Sequence, residues 1–97
     1  MQLNEDQLLD EDQKKEVEKR IHRSACFQRV FERDVEGKEV LKEIDIMSNY
    51  NIDTFDPDPY ISAYRAGRRS VSVFIHNTIS QDLDKAKEML KNAGSQT

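Results

Sequence analysis

Apolar residues in this chain recur at intervals of three and four and never run longer than three together, as in Val73-Phe74-Ile75. That spacing lines one side of an α-helix and leaves no continuous run for a core strand. Val17, Ile21, Ala25, Gln28 and Phe31 form one stripe, widened by Phe27 and Val30. Val40, Leu41, Ile44 and Met47 form a second. Tyr60, Tyr64, Gly67, Val71, Phe74, Ile75 and Ile79 form a third, and Leu83, Ala86, Met89, Leu90 and Ala93 a fourth. The β-prone stretch from Val71 to Ile75 has helical patterning on both sides, so helix is expected there too. The predicted fold is all-α: a small bundle of about four helices, with a long Asp/Pro-containing loop before the third.

Punctuation between the stripes sets the boundaries. The first helix is expected to start around Asp10 to Asp12, where acidic side chains favour the positive end of the helix dipole. A break is expected at Glu32 to Asp34, with Asp34 as N-cap of a second helix that ends near Ser48-Asn49. Residues 49–59 carry no helical signal, and Ile52 and Phe55 are expected to anchor this loop. Asp58 reads as an N-cap with Pro59 at the first helical position, where a missing N–H costs nothing. The third helix is expected to run from Pro59 to about Asn77. Ser80 is expected to cap the fourth and Gly94 to stop it. Val71, Ile75, Ile79, Leu83, Ala86 and Leu90 also fit one continuous helix. The run Asn77-Thr78-Ile79-Ser80 is poor in helix formers and favours a break. One domain over 10–92 is expected, with flexible tails at 1–9 and 93–97.

The expected core is Phe31, Leu41, Ile44, Tyr64, Val71 and Ile75. Gly67 costs about 1 kcal/mol against Ala inside a helix, which suggests that another helix crosses closely there. The amino-terminal half of the first helix offers Val17 as its one strong apolar contact. It is therefore expected to project into solvent or to be covered by a partner or a second copy of the chain.

Composition narrows the function classes. Of 97 residues, 36% are hydrophobic and 35% charged, so the chain can build one modest core and little else. A deep private active site is not expected, and the chain reads as non-enzymatic, without cofactor or metal. A net charge of −4 disfavours direct nucleic-acid binding. The single cysteine, Cys26, excludes an intramolecular disulfide and a Cys₂His₂ or Cys₄ zinc site. There is no signal-peptide pattern at the start and no apolar run near the ~20 residues of a membrane span. A soluble protein of a reducing compartment is expected.

No constellation of catalytic type stands out. His22 lies among charges and reads as solvated. His76 follows an apolar run and reads as a partly buried packing residue. Cys26 reads as a buried, inert thiol. Asn49, Asn51 and Asp53 resemble the start of a calcium loop, yet Thr54 and Tyr60 stand where the loop needs Gly and Glu.

Charge segregation is the informative pattern. Residues 35–58 carry seven acidic and two basic side chains, whereas residues 59–79 carry Arg65, Arg68 and Arg69 and no acid. The three arginines fall within about one helical turn, beside Gly67. They can brace the loop through Asp53, Asp56 and Asp58, or face outward toward a partner's carboxylates or phosphates. Neighbouring helical positions point about 100° apart, so the roles are expected to divide. Arg68 is expected to turn toward Asp53, Asp56 and Asp58. Arg65 and Arg69 are the candidates for outside contact.

Phe27-Gln28-Arg29-Val30-Phe31, then Gly37, then Val40-Leu41, resembles the F-x-x-V-F … G-x-x-V-L opening of a family of small proteins of tailed bacteriophages, of the Bordetella-phage type. Phe55-Asp56-Pro57-Asp58-Pro59 and the stretch from Ala63 to Val71 are similar to that family's second half, an aromatic-x-x-G-x-R-x-V pattern. The resemblance spans about residues 26–79. Ala66 departs from it, because an acidic residue often precedes the glycine. The family has no assigned activity and is commonly encoded among head and DNA-packaging genes. The resemblance therefore implies a phage protein in the host bacterial cytoplasm or associated with the virion. It implies docking onto a protein partner, a phage structural or packaging component. The other expectation is a small acidic inhibitor of a host defence or nucleic-acid-handling protein. No membrane is implied, and self-association stays open.

Overall fold

Three aspartates start three helices. The structure, a computed structural model, describes residues 9–95, with side chains described to residue 92. Asp10 caps α1 (Glu11–Gln28). Its carboxylate accepts the Gln13 backbone N–H at 2.7 Å, and the Gln13 side chain accepts the Asp10 N–H at 2.9 Å, a reciprocal capping box. Asp34 caps α2 (Val35–Ser48) by accepting the N–H groups of Glu36 and Gly37. Asp58 caps α3 (Pro59–Ile79) by accepting the Tyr60 N–H at 2.9 Å, with Pro59 in the first turn. Asn49 closes α2 with φ 56°, the left-handed conformation that asparagine tolerates.

Between α1 and α2 the chain widens into a π turn, Arg29–Arg33, before a single linking residue, Asp34. So short a link drives the start of α2 against the end of α1. Gly37 makes that corner fit. A Cβ built on it would sit 1.5 Å from the carbonyl oxygen of Val30 and 2.6 Å from its carbon. The hydrogen that takes the place of a side chain therefore aims at that oxygen, a Cα–H···O contact.

The fourth helix, α4 (Leu83–Ser95), is separate from α3. Its cap is Asp82, which accepts the Lys85 N–H at 3.0 Å, and not Ser80. The Ser80 hydroxyl instead bonds back to the Asn77 carbonyl, inside the turn it leaves. The helix continues through Gly94 to Ser95, so Gly94 does not stop it and residues 93–95 are helical. The remaining tail residues, 1–8 and 96–97, lie outside the described residues. Among the described residues there is no strand.

Helix α1 touches both α3 and α4, and α3 also touches α2. The assembly is flat. Its extents are 55 × 35 × 18 Å, so its thickness is under two helix diameters of about 10–12 Å each. The radius of gyration is 18.1 Å, against about 13 Å for a compact domain of this length. The first half of α1 is mostly exposed, with Lys14 and Val17 half-buried and residues 10–13, 15, 16 and 18–20 exposed. Val17, Ile21, Leu83, Ala86 and Met89 meet along the α1–α4 crevice.

A layer this thin encloses few side chains. Among the described hydrophobic residues, only Leu41 and Ile75 are buried. Phe31 and Ile44 are half-buried, and Phe31 packs edge-on to Phe27 at 5.8 Å. Tyr64 and Val71 are exposed, at 68% and 54%, and do not belong to the core. Gly67 has no atom within 4 Å of where its Cβ would stand, so no helix crosses there. Helix α3 is turned so that a different face points inward, for the reason given next.

Candidate interaction surface

The inward face of α3 carries Ser72 and Thr78 beside Ile75, and each buried polar group on it has found a partner. Ser72 is fully buried and shares a hydrogen bond with the Ser48 hydroxyl of α2. His76 donates from Nε2 to the Asp45 carboxylate at 2.9 Å. The Tyr50 ring stacks on the His76 imidazole, with centroids 4.4 Å apart and planes within 5°. Arg69 covers the Tyr50 ring at 5.0 Å and donates from Nε to the Tyr50 carbonyl at 2.8 Å. A guanidinium, a phenol ring, an imidazole and a carboxylate thus stand in one column. The column ties the start of the loop to α3 and α2. At the other end of α3, the Gln28 side chain donates to the Ile79 carbonyl at 2.8 Å. No buried side-chain nitrogen or oxygen among the described residues lacks a partner. Rotating α3 to bury Tyr64 and Val71 would strand these groups, at about 1–3 kcal/mol for each buried donor or acceptor left unsatisfied.

The acidic loop organises itself locally. Asp53, Asp56 and Asp58 each accept the backbone N–H two residues on, from Phe55, Asp58 and Tyr60. These are successive Asx turns. The Ser62 hydroxyl accepts from the Asp56 N–H at 2.7 Å and donates to the Asp56 carbonyl at 2.8 Å, which staples the loop to α3. Ile52 and Phe55 do not anchor it. They are 61% and 72% exposed.

The arginines divide, but not as expected. The ion pair to the loop is made by Arg65, 3.3 Å from Asp56, and Arg65 also donates to the Phe55 carbonyl. Arg69 is half-buried in the column against Tyr50. Arg68 is exposed and, among the described residues, forms no ion pair. Asp53 and Asp58 form none either; their carboxylates serve the turns. The physical reason is the same rotation of α3. With Ser72 and His76 inward, position 69 faces α2 and the loop, and position 68 turns about 100° away.

Of the other singled-out residues, His22 is exposed and lies 3.7 Å from Cys26 Sγ, one helical turn on. Cys26 is half-buried, more open than expected. Among the described residues no group of three or more His, Cys, Asp or Glu is placed to hold a metal ion.

The polar face of α3 was missed because its residues are ordinary surface types, two serines and an arginine, plus a histidine. Their spacing, Ser62, Arg69, Ser72 and His76, carries the same helical period as the apolar stripe on the opposite side. Two faces of α3 therefore compete for the interior. Of the expected apolar stripe, Tyr60, Tyr64, Gly67 and Val71 are left in solvent, Phe74 stands edge-on to Phe27 of α1 at 5.7 Å, and Ile75 and Ile79 lie inward as expected. Of the residues that carry the second half of the sequence resemblance, Arg69 has an internal partner, while Tyr64, Gly67 and Val71 face outward.

No described helix is long and apolar enough to cross a membrane. No curated protein and no solved structure matches the chain. The family model of Bbp19-like phage proteins matches residues 27–91, from the aromatic end of α1 through most of α4. The match takes in the π-turn corner at Gly37, the Asx-turn loop and the whole of α3, and the chain belongs to the family of Bbp19-like phage proteins.

Proposed function

We propose that this protein is a non-enzymatic interaction protein of a tailed phage, which docks onto a protein component of the virion or of the DNA-packaging apparatus in the host cytoplasm. The observation that carries this reading is the orientation of α3: its polar side is buried and its aromatic side is exposed. Tyr60, Tyr64, Val71 and Phe74 stand 84%, 68%, 54% and 48% exposed on one helix. Contiguous apolar surface of more than a few hundred Å² is uncommon on a protein that acts alone. It suits contact with another protein better than turnover of a small molecule, which calls for a concave site with convergent polar groups. Membership of a phage family supports the setting.

Cross-linking with mass spectrometry in infected cells tests the reading. Cross-links from the protein to a virion or packaging protein are expected. Cross-links confined to a host nuclease or polymerase would replace it with the inhibitor reading, in which the exposed carboxylates of α2 face a basic groove. A protein that stays free and monomeric throughout infection would refute both.

A further inference from the structure

We propose that the exposed face of α3 receives one amphipathic helix of another protein, and that this helix carries carboxylates beside its apolar positions. The inference rests on the docking reading above and specifies the surface and the chemistry of what it takes.

Spacing comes first. Tyr60, Tyr64, Gly67, Val71 and Phe74 follow one another at steps of four, three, four and three. This is the 3.5-residue repeat of a helix–helix seam, held over two heptads. The seam is open from Tyr60 to Val71 and meets Phe27 of α1 at its Phe74 end, and Gly67 at its centre has no atom within 4 Å of its missing Cβ. An incoming helix can come closest there, between Tyr64 and Val71.

Area decides between a helix and a second copy of the chain. The exposed fractions of Tyr60, Tyr64 and Phe74 amount to about two whole aromatic side chains. At about 200 Å² each, with Val71 and Ile61 added, the seam offers about 500 Å². A stable interface buries about 800 Å² on each partner. The seam is one helix wide, enough to seat a single helix and too small to hold an obligate symmetric dimer.

Charge decides what kind of helix. Residues 59–79 contain no acid. Arg68 adjoins Gly67, exposed and without an ion pair among the described residues. At the Phe74 end, the Arg23 guanidinium lies 5.8 Å from the ring centroid. Two α3 seams laid antiparallel about Gly67 would bring Arg68 against Arg68 with no carboxylate on either helix. A partner helix with Glu or Asp flanking its seam supplies the missing charge.

The test uses the full protein and two fluorescently labelled synthetic helical peptides. Both carry leucine at four-three spacing; one has glutamate at the flanking positions, the other lysine. The expected result by fluorescence anisotropy at low salt is tighter binding of the glutamate peptide, a preference reversed by Arg68→Glu. Tyr64→Ser with Val71→Ser should abolish binding. Both changes lie on exposed positions, and unchanged circular dichroism melts establish that the fold is kept. Equal binding of the two peptides, or binding that survives Tyr64→Ser with Val71→Ser, overturns the inference. So does sedimentation of the parent protein as a dimer that Tyr64→Ser dissociates, because a second copy then holds the seam. If cross-links to the virion or packaging partner persist in the double variant, the protein docks by another face, and the functional reading stands while this one falls.

Discussion

Gly37 and Gly67, two of the three helical glycines, are predicted to respond to alanine with opposite sign. Replacing Gly by Ala inside a helix gains about 0.5–1 kcal/mol through the lost backbone freedom of the unfolded chain. At Gly67 the new methyl meets nothing within 4 Å, so Gly67→Ala should realise that gain in full. For a domain of this size it corresponds to a rise of about 4–8 °C in Tm per kcal/mol. At Gly37 the methyl would stand 1.5 Å from the Val30 carbonyl oxygen. Those are backbone atoms of the π turn, so no side chain can swing aside. Relief requires α2 to move off the corner, which also pulls the Gly37 N–H from the Asp34 carboxylate, 3.3 Å away. Overpacking of this kind costs about 1–3 kcal/mol or more, against a gain reduced by the position of Gly37 in the first turn. Gly37→Ala should therefore be net destabilising by at least about 1 kcal/mol.

Urea titrations followed by far-ultraviolet circular dichroism measure both variants against the parent. A Gly37→Ala protein as stable as the parent would refute the close approach at the corner. A Gly67→Ala protein that loses stability as a monomer would show that position 67 is covered within the chain, and would remove the ground for an open seam. A stabilised Gly67→Ala that binds the glutamate peptide more weakly than the parent would separate the two roles of that residue, since the same methyl helps the helix and obstructs the closest approach.

Three further predictions concern the interior. Leu41→Ala should cost on the order of 2–5 kcal/mol, because Leu41 is one of the two buried hydrophobic side chains among the described residues; an unchanged urea midpoint would take it out of the core. Arg69→Ala should cost about 1–2 kcal/mol for the lost bond to the Tyr50 carbonyl and the lost ring contact, whereas Arg68→Ala should stay within about 0.5 kcal/mol. Equal losses in thermal melts would contradict that division. Ser72→Ala should cost about 0.5–1.5 kcal/mol by removing the buried bond to the Ser48 hydroxyl, which keeps its bond to the Asp45 carbonyl, and Ser72→Ala with Ser48→Ala should cost less than the two single losses summed. Strict additivity in that double-mutant cycle would mean the two hydroxyls are not coupled.

What was legible in the sequence was local chemistry. Asp34 and Asp58 cap where they were expected to, and α1 starts within the expected Asp10–Asp12 stretch, because an N-cap needs only its own carboxylate and the next three residues. The Asp-Pro-Asp-Pro loop and the break before α4 follow from the same short-range rules. The helical stripe on α1 is half-buried as read from Val17 to Phe31, but Val30 is 51% exposed and the most buried residue, Ser24, was not in the stripe. The π turn was not legible, since its cause is a corner between two helices joined by one residue. Nor was the role of Gly37, which depends on a carbonyl seven residues away.

Helix α3 shows where periodicity stops being informative. A 3.6-residue period says that a helix has two different faces, and hydrophobicity ordinarily says which one goes inside. That inference assumes a thick interior that rewards apolar side chains and strands polar ones. In a layer 18 Å deep neither condition holds. Tyr64 would have gained little by turning inward, while Ser72, His76 and Arg69 each meet a complementary group from α2 or the loop. At about 0.5–1.5 kcal/mol per satisfied hydrogen bond, more where one partner is charged, the polar face competes with the burial of a tyrosine at about 2 kcal/mol or less. The choice of face then fixes everything outside it. One step along the helix, from 69 to 68, is the difference between a guanidinium stacked on a ring and one left in water. The same rotation leaves Tyr60, Tyr64 and Val71 on the surface, beside Arg68, which forms no ion pair among the described residues.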